Sequence, residues 1–266
     1  MSRITFMARN GGSTVFSGIR HGRTTSQHGL SLIELMIAIT LGLLILAAIG
    51  SIYVGSRQTF RMQEENARLQ ETGRYALEVM GRSIRQAGFW NMPFSPVATA
   101  TAFVGMPITG GNDDPDTVTV QYDGLTGDRD CAGAVLTVDG VIEDAYVMDA
   151  TDFELECNGQ PLVSDIEDVQ ILYGLTTLNA PVQSAVQYTP TLTAANQGQV
   201  VSARVCVQAR SANNVNTAPQ RFLNCGGALG TLTGAAAFTT AGAGDLRLRR
   251  TFVATYNLRN RVTSVP

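Results

Sequence analysis

The sequence predicts an α+β protein in which a long N-terminal α-helix, transmembrane in its first half, packs on an antiparallel β-sheet head. Three observations predict this fold. An uncharged apolar run extends from Leu35 to Ser56. A helical pattern without proline continues through residues 57–88, and short β-branched runs separated by loops occupy residues 89–266.

The apolar run is long enough to cross a membrane. Its 22 residues would extend about 33 Å as an α-helix, which matches the hydrocarbon core of a bilayer. Residues 1–29 carry four arginines and no acid, and such a basic flank remains in the cytoplasm. We therefore expect a single pass through the inner membrane, with residues 30–56 as the transmembrane half of the helix and the head in the periplasm.

The helical pattern after the apolar run predicts the periplasmic half of the same helix, residues 57–88. Leu77, Met80, Ile84 and Ala87 recur at helical spacing and would form one apolar face. Two acid–base pairs, Glu64/Arg68 and Glu78/Arg82, lie four residues apart with the acid first, which is the favourable order. Together these features predict one continuous helix from Leu30 to Ala87.

The remaining residues, 89–266, have the composition of a β-rich head. Residues 91–115 are rich in proline and glycine and should form a connecting loop, and residues 176–199 and 211–244 should form long loops. The predicted strands are Thr117–Tyr122, Ala134–Val138, Phe153–Cys157, Val169–Tyr173, Val200–Ala209 and Thr251–Tyr256.

All four cysteines lie in the head, beyond the apolar run. In an oxidising compartment they suggest two disulfides, for which three pairings exist. Proximity along the chain favours Cys131–Cys157 and Cys206–Cys225. A zinc site of four thiolates is the alternative, but the sequence has no CxxC pair.

Charge is distributed unevenly along the head. Residues 113–168 contain sixteen acids and only Arg129, whereas the residues from 169 onward contain eight arginines and only Asp245. A calcium site at Asp113, Asp114 and Asp116, or at Asp128 and Asp130, is conceivable, but neither group matches an EF-hand loop. We expect a solvated acidic face and no metal, with the arginines contacting acids in the same head or in a neighbouring subunit.

The composition argues against an enzyme. Both histidines, His21 and His28, lie within the first 29 residues, so a processed chain would lack the commonest general base. No phosphate-binding glycine motif occurs. We expect no catalytic residues and no cofactor. Because the processed chain would be acidic, we also expect no nucleic-acid partner.

The residues just before the apolar run carry the most specific motif. Gly29 and Leu30 precede Ser31 and, after two apolar residues, Glu34, the lone acid at the start of a transmembrane run. This stretch resembles the class III signal of type IV prepilins and type II secretion pseudopilins. The resemblance implies that residues 1–29 are a leader, starting at Met1 or Met7, that prepilin peptidase removes. It also implies a cut between Gly29 and Leu30, followed by N-methylation of Leu30.

Glu34 is the residue expected to act in assembly. Cleavage would free the amine of Leu30, four residues before Glu34, so the two groups could pair within one helix. In a staggered stack of helices, Glu34 could instead pair with the amine of the adjoining subunit and fix the axial register. The alternative is a solvated carboxylate at headgroup depth without a role.

Further segments resemble PilW-type minor pilins of the type IV pilus. They are residues 55–90 in the helix and, in the head, residues 116–120, 200–205 and 258–262. The resemblance implies a pilin-like fold and a subunit that joins other minor pilins and the major pilin in a priming or tip complex. In many such complexes a large PilY-type tip adhesin takes part. The functions that the resemblance implies are pilus assembly, twitching motility and adhesion.

Three alternatives stay open at this stage. A minor pseudopilin of type II secretion would share the N-terminal features. A signal-anchored periplasmic enzyme would keep its N-terminus uncut and show activity in the isolated head. A DNA-uptake pilin would use the arginines of the C-terminal part, although the acidic middle of the chain disfavours it.

Overall fold

The computed structural model describes residues 29–91, 106–112, 115–177 and 184–260. The predicted leader up to residue 28, with both histidines, lies outside the described residues, as do Asp113, Asp114 and Arg261. The chain divides into two compact units, Met1–Tyr53 and Val54–Pro266.

The first unit contains the beginning of helix α1, which runs from Leu32 to Gln86. The described residues from Gly29 to Tyr53 contain no buried side chain, and their leucines and isoleucines are exposed. The helix is apolar and long enough to cross a membrane, with a mean hydropathy of 2.7 in its most apolar window. The predicted helix began at Leu30, and the observed one begins two residues later because Ser31 caps it, as described below.

The second unit contains the rest of α1, whose buried face matches the prediction. Leu77, Met80, Ile84 and Ala87 are all buried. The helix stops at Gln86, and Gly88 follows with a φ of +69°, a left-handed conformation that suits glycine after a helix end. The predicted ion pairing is wrong in detail: Glu78 pairs with Arg85 at 3.3 Å rather than with Arg82, and no ion pair joins Glu64 to Arg68 among the described residues.

The head contains two larger antiparallel sheets and a two-stranded one. The five-stranded sheet has its strands in sequence order: β1 (Ile108–Gly111), β2 (Thr117–Gly124), β3 (Gly140–Asp149), β4 (Glu154–Cys157) and β5 (Gln160–Ser164). The four-stranded sheet has the order β11-β8-β6-β7, formed by β6 (Ile166–Leu175), β7 (Gln187–Thr189), β8 (Val200–Asn214) and β11 (Arg247–Asn257). Strands β9 (Arg221–Leu223) and β10 (Phe238–Thr240) pair with each other, and the short helix α2 (Cys225–Leu229) lies between them in sequence.

The predicted α+β class is confirmed. Four of the six predicted strands lie within β2, β6, β8 and β11, and a fifth, Phe153–Cys157, begins one residue before β4. The sixth prediction, Ala134–Val138, is wrong: Val135 forms only an isolated bridge with Arg129. The strand lies later, at β3, where every second residue from Ile142 to Met148 is buried. The predicted loop at 211–244 is also partly wrong, since it contains β9, α2 and β10.

Two glycines allow helix α1 to pack closely against β11, the C-terminal strand. A Cβ atom at Gly73 would lie 2.2 Å from the ring of Phe252, and one at Gly81 would lie 2.3 Å from the ring of Tyr256. The Tyr256 hydroxyl donates a hydrogen bond to the carbonyl of Leu77, halfway between the two glycines, at 2.7 Å. The absence of side chains at Gly73 and Gly81 therefore lets two aromatic rings of β11 approach the helix backbone.

Candidate assembly site at the start of the membrane helix

The predicted processing site lies outside the helix. Gly29, Leu30 and Ser31 are not helical, and all three are exposed. Leu30 keeps 80% of its surface accessible. The Gly29–Leu30 bond therefore lies in a non-helical, accessible stretch.

Ser31 and Glu34 cap the helix reciprocally. The Ser31 backbone N–H donates to Oε2 of Glu34 at 3.0 Å, and the Glu34 backbone N–H donates to Oγ of Ser31 at 3.2 Å. This arrangement is a capping box, which satisfies two backbone donors that the first turn of a helix leaves unpaired. The carboxylate of Glu34 also lies in the first turn, where the helix dipole favours negative charge.

This capping role of Glu34 was not among the predictions, although its signal lies in the sequence. A serine followed three residues later by a glutamate, directly before an apolar run, is the sequence pattern of a capping box. The Glu34 carboxylate thus already accepts a hydrogen bond from Ser31, the cap residue of its own helix. The bond from a neutral backbone N–H is weaker than the bond that a charged amine would make with the same carboxylate, so an ammonium group could displace it.

Glu34 is also the sole charged residue between Gly29 and Ser56. The side chains around it, including Leu35, Met36 and Ile37, are apolar and more than half exposed. The helix therefore presents a single carboxylate at the N-terminal end of an apolar surface.

The head contains a second polar cluster, which is buried and structural. Asp144 on β3 is 1% exposed. It accepts hydrogen bonds from the Ser83 hydroxyl at 2.7 Å, from the Tyr122 hydroxyl at 3.2 Å and from the Cys131 backbone N–H at 2.9 Å. Ser83 also bonds the Tyr146 hydroxyl at 2.8 Å, and burial raises the pKa of Tyr146 to about 12. These bonds join α1, two strands and the loop after β2.

The structure joins the cysteines as Cys131–Cys157 and Cys206–Cys225, the pairs that proximity in sequence favours. Atoms of Cys131, Cys157 and Asp144 that could bind a metal lie within 4.8 Å of one another, but the two sulfurs are bonded to each other and are not thiolate ligands. The second disulfide links the middle of β8 to α2, and both of its cysteines are fully buried.

Two parts of the chain match known protein families. Residues 24–50 match the prokaryotic N-terminal methylation motif, and residues 147–260 match PilW, the type IV pilus-assembly protein W family. The chain is therefore similar to type IV pilin-like proteins at its N-terminus and to the PilW family over its C-terminal part. The methylation motif covers Gly29, Leu30 and Glu34, and the PilW-type region covers the end of β3 through β11.

Comparison with solved structures returns a type IV-like pilin from Thermus thermophilus, at 13% sequence identity and a TM-score of 0.42. The match covers 73% of this chain and 96% of that pilin. No curated protein sequence matches the chain.

Proposed function

We propose that this PilW-type chain is a minor pilin that joins a priming or tip complex and promotes assembly of the type IV pilus. The observation that carries the proposal is the position of Glu34. It is the only carboxylate on an exposed apolar helix start, and it lies five residues after Gly29 in a chain with a PilW-type head region. Twitching motility and adhesion would depend on the fibres that such a complex initiates.

The proposed topology has four parts. Residues 1–29 form a cytoplasmic leader, residues 30–56 the transmembrane half of the helix, residues 57–88 its periplasmic half, and residues 89–266 the head. The exposed apolar surface before Tyr53 supports the membrane assignment, because a lipid bilayer or neighbouring helices must cover it. The subunit would reside in the inner membrane and then move into the fibre or its tip.

Processing would change the partner of Glu34. Prepilin peptidase cuts between Gly29 and Leu30 and methylates the new amine, which then lies next to the cap residue Ser31. An ammonium group from the adjoining subunit can displace the Ser31 N–H from the Glu34 carboxylate because a charged donor bonds it more strongly. Losing one partner of such a buried pair costs about 3–5 kcal/mol.

The proposed role is structural rather than catalytic. In the head, the buried carboxylate of Asp144 accepts three hydrogen bonds, of which the one from Ser83 joins α1 to β3 and the other two join β2 and the loop after it to β3. The buried polar groups around Asp144, which could have suggested a catalytic site, therefore stabilise the packing of the head. The proposed partners are the other minor pilins, the major pilin, prepilin peptidase and a PilY-type tip adhesin.

Mass spectrometry of the mature N-terminus tests processing. In cells that contain prepilin peptidase, we expect a chain that begins with N-methylated Leu30. In cells without the enzyme we expect the uncut precursor. A leader that remains attached in the presence of the enzyme would contradict the proposal.

Three variants in the same cells separate the charge of Glu34 from its capping role. Glu34→Gln keeps an acceptor for the Ser31 N–H but loses the charge, and Glu34→Ala loses both. We expect both to insert in the membrane and to enter pili at least about 10-fold less, since loss of the pair exceeds 1.4 kcal/mol. Ser31→Ala keeps the carboxylate and should assemble normally. Normal assembly of Glu34→Gln would exclude the charge pair.

A deletion strain distinguishes a subunit of the type IV pilus from a pseudopilin of type II secretion. Loss of twitching with normal secretion of exoproteins supports the type IV pilus. Loss of secretion with normal twitching would assign the chain to the secretion system instead.

A further inference from the structure

Strand β11 forms one edge of the four-stranded sheet and pairs with β8 on its inner side. In an antiparallel strand, successive residues direct their backbone N–H and C=O groups to opposite sides in turn. At Arg249 both groups point away from β8, because the Gln220 side chain accepts from the N–H at 2.7 Å and donates to the C=O at 3.1 Å. The register with β8 continues without a shift to Asn257. Every second residue from Thr251 to Asn257 therefore directs its backbone groups away from the sheet.

The open part of this edge is residues 253–257. Next to it, the Thr251 hydroxyl donates to the carbonyl of Leu223 in β9, so β9 lies beside the first part of β11. At Val253 and Thr255, the outward backbone groups bond no other described part of the chain. Val253 is 41% exposed, and Thr255 and Asn257 are exposed as well. Accessible, unpaired backbone groups along a sheet edge are a template on which another strand can pair.

This edge lacks the features that usually prevent strand pairing. Natural edge strands are commonly short, or contain proline or charged residues. Residues 251–257 read TFVATYN, with neither charge nor proline, and their β-branched and aromatic side chains favour an extended conformation. The other outer strands of the two larger sheets differ: β5 contains Pro161, β1 has four residues and β7 has three. Among the described sheets, β11 therefore has the longest edge without such protection.

The charges around the edge restrict the class of partner. Strands β8 and β11 together contain five arginines and no acid. Arg204 lies opposite Thr255 in the register, and its Nε donates to the Thr255 hydroxyl at 3.3 Å. Arg204, Arg250 and Arg259 form no ion pair within the described part of the chain. Pairing of β11 with a second copy of itself would bring two such sets of arginines together, which like-charge repulsion disfavours, whereas an acidic strand would be attracted.

We propose that the edge of β11 at residues 253–257 binds an extended, acidic segment of a partner protein, which adds a fifth strand to the four-stranded sheet. The backbone N–H and C=O groups of Val253 and Thr255 pair with the backbone of that segment. Carboxylates of the segment form charge-assisted hydrogen bonds with Arg204 and Arg259. The inference rests on the head alone and does not require the assembly role of Glu34.

The test uses the full chain in detergent and three synthetic peptides. The acidic peptide has a core of alternating threonine and valine with two acids at each end. Lysines replace the acids in the second peptide, and proline replaces the central valine in the third. Fluorescence anisotropy should show saturable binding of the acidic peptide and at least about 10-fold weaker binding of the other two. Backbone amide exchange should slow at Val253 and Thr255 but not at Ala254, whose N–H already faces β8.

Two results of the peptide titration would overturn the proposal. One is the absence of binding of the acidic peptide up to about 1 mM. The other is equal binding of all three peptides, because neither strand pairing nor charge would then determine the affinity.

Three variants locate the site. Val253→Pro removes an outward N–H at an edge position, where proline is tolerated, and should raise the dissociation constant of the acidic peptide at least about 10-fold. Val253→Thr is the matched control, because it keeps the N–H and should bind like the unmodified chain. Arg259→Gln changes an exposed side chain and should weaken binding about 3-fold.

Unchanged binding in both Val253→Pro and Arg259→Gln would exclude this edge. The Arg259→Gln variant and the exchange of the Val253 amide in the unmodified chain keep the test decisive if Val253→Pro does not fold. A dimer of the unmodified chain that Val253→Pro abolishes would assign the edge to a second copy and would likewise overturn the proposal.

Discussion

At the scale of single residues, the role of a charged group in this chain depends on its hydrogen-bond or ion-pair partner. Glu34 bonds the Ser31 N–H in the structure and would exchange it for an ammonium group in a fibre. In the head, Arg249 is buried between Glu167 and Asp245, which joins the arginine-rich C-terminal part to the acidic segment. The sequence left open whether such contacts form within the head, and for Arg249 they do.

The Asp245–Arg249 pair predicts a pH dependence of stability. The hydrogen bond from Arg249 holds the pKa of the Asp245 carboxyl below its usual value. A carboxyl with a lowered pKa in the folded state stabilises that state above the pKa of the unfolded chain, about 3.9, and loses this contribution as pH falls through the folded value. At pH 7, Asp245→Asn should therefore lower the unfolding temperature by about 2 °C, as expected for a partly exposed ion pair.

The same comparison near pH 2 should show no difference between Asp245→Asn and the unmodified chain. Glu71→Gln serves as the control because Glu71 is exposed on α1 and forms no ion pair among the described residues. It should leave the unfolding temperature unchanged at both pH values. If the unfolding temperature of Asp245→Asn were still lower near pH 2, the Asp245–Arg249 pair would not be the cause.

At the scale of secondary-structure elements, α1 meets the sheets through specific contacts rather than through apolar pattern alone. Gly73 and Gly81 accept the rings of Phe252 and Tyr256, and Asn213 of β8 donates to Glu65 of the helix at 2.8 Å. On the four-stranded sheet, the Cys206–Cys225 disulfide fastens α2 to β8. These contacts join α1 and α2 to the strands of the head.

The glycine contacts predict that a normally favourable substitution will destabilise the head. Replacing glycine by alanine inside a helix gains about 1 kcal/mol in helix propensity. At Gly73 or Gly81, however, the new methyl group would overlap an aromatic ring, and overpacking of this kind costs about 1–3 kcal/mol. Urea unfolding of Gly73→Ala and Gly81→Ala in detergent should therefore show a lower free energy of unfolding.

Gly55→Ala is the matched control on the same helix. A Cβ atom there would meet nothing within 4 Å, so this variant should be as stable as the unmodified chain or slightly more stable. If Gly73→Ala behaved like Gly55→Ala, close packing of Phe252 against the helix would be excluded.

At the scale of the whole molecule, the chain divides at Tyr53/Val54 into two units of different character. Within the described residues, every buried apolar side chain of the core lies at Leu69 or later. The first unit therefore contributes none of the described hydrophobic core of the head, and its apolar side chains depend on a membrane or on neighbouring helices.

This division predicts that the fragment Val54–Pro266 folds by itself. Expressed in the periplasm, it should be soluble without detergent and should contain the Cys131–Cys157 and Cys206–Cys225 disulfides. Peptide mapping under non-reducing conditions and circular dichroism check this outcome. A fragment that needs detergent or has exchanged disulfides would show that the first unit is required for folding of the head.

Predictions from the sequence were most accurate where one local rule determines the structure. The apolar run, the buried face from Leu77 to Ala87 and the alternating strand at Val200–Ala209 each follow from the period of their apolar residues. The strand predicted at Ala134–Val138 was wrong because this short run forms only a single bridge, to Arg129, whereas β3 pairs with both β2 and β4. No local signal distinguished Gly73 and Gly81 from the other glycines of the same helix.

The sequence by itself determined the membrane helix, the methylation motif with Glu34 and the division into helix and β-rich head, because each depends on residues that are close together in the chain. Only the tertiary structure decided the Asp144 cluster, the ring-to-glycine contacts and the ion pair of Arg249 with Glu167. These features join residues that are tens to more than a hundred positions apart, such as Ser83 with Asp144 and Gly81 with Tyr256. Their energies come from burial and hydrogen bonding between elements, which no periodicity within one element can reveal.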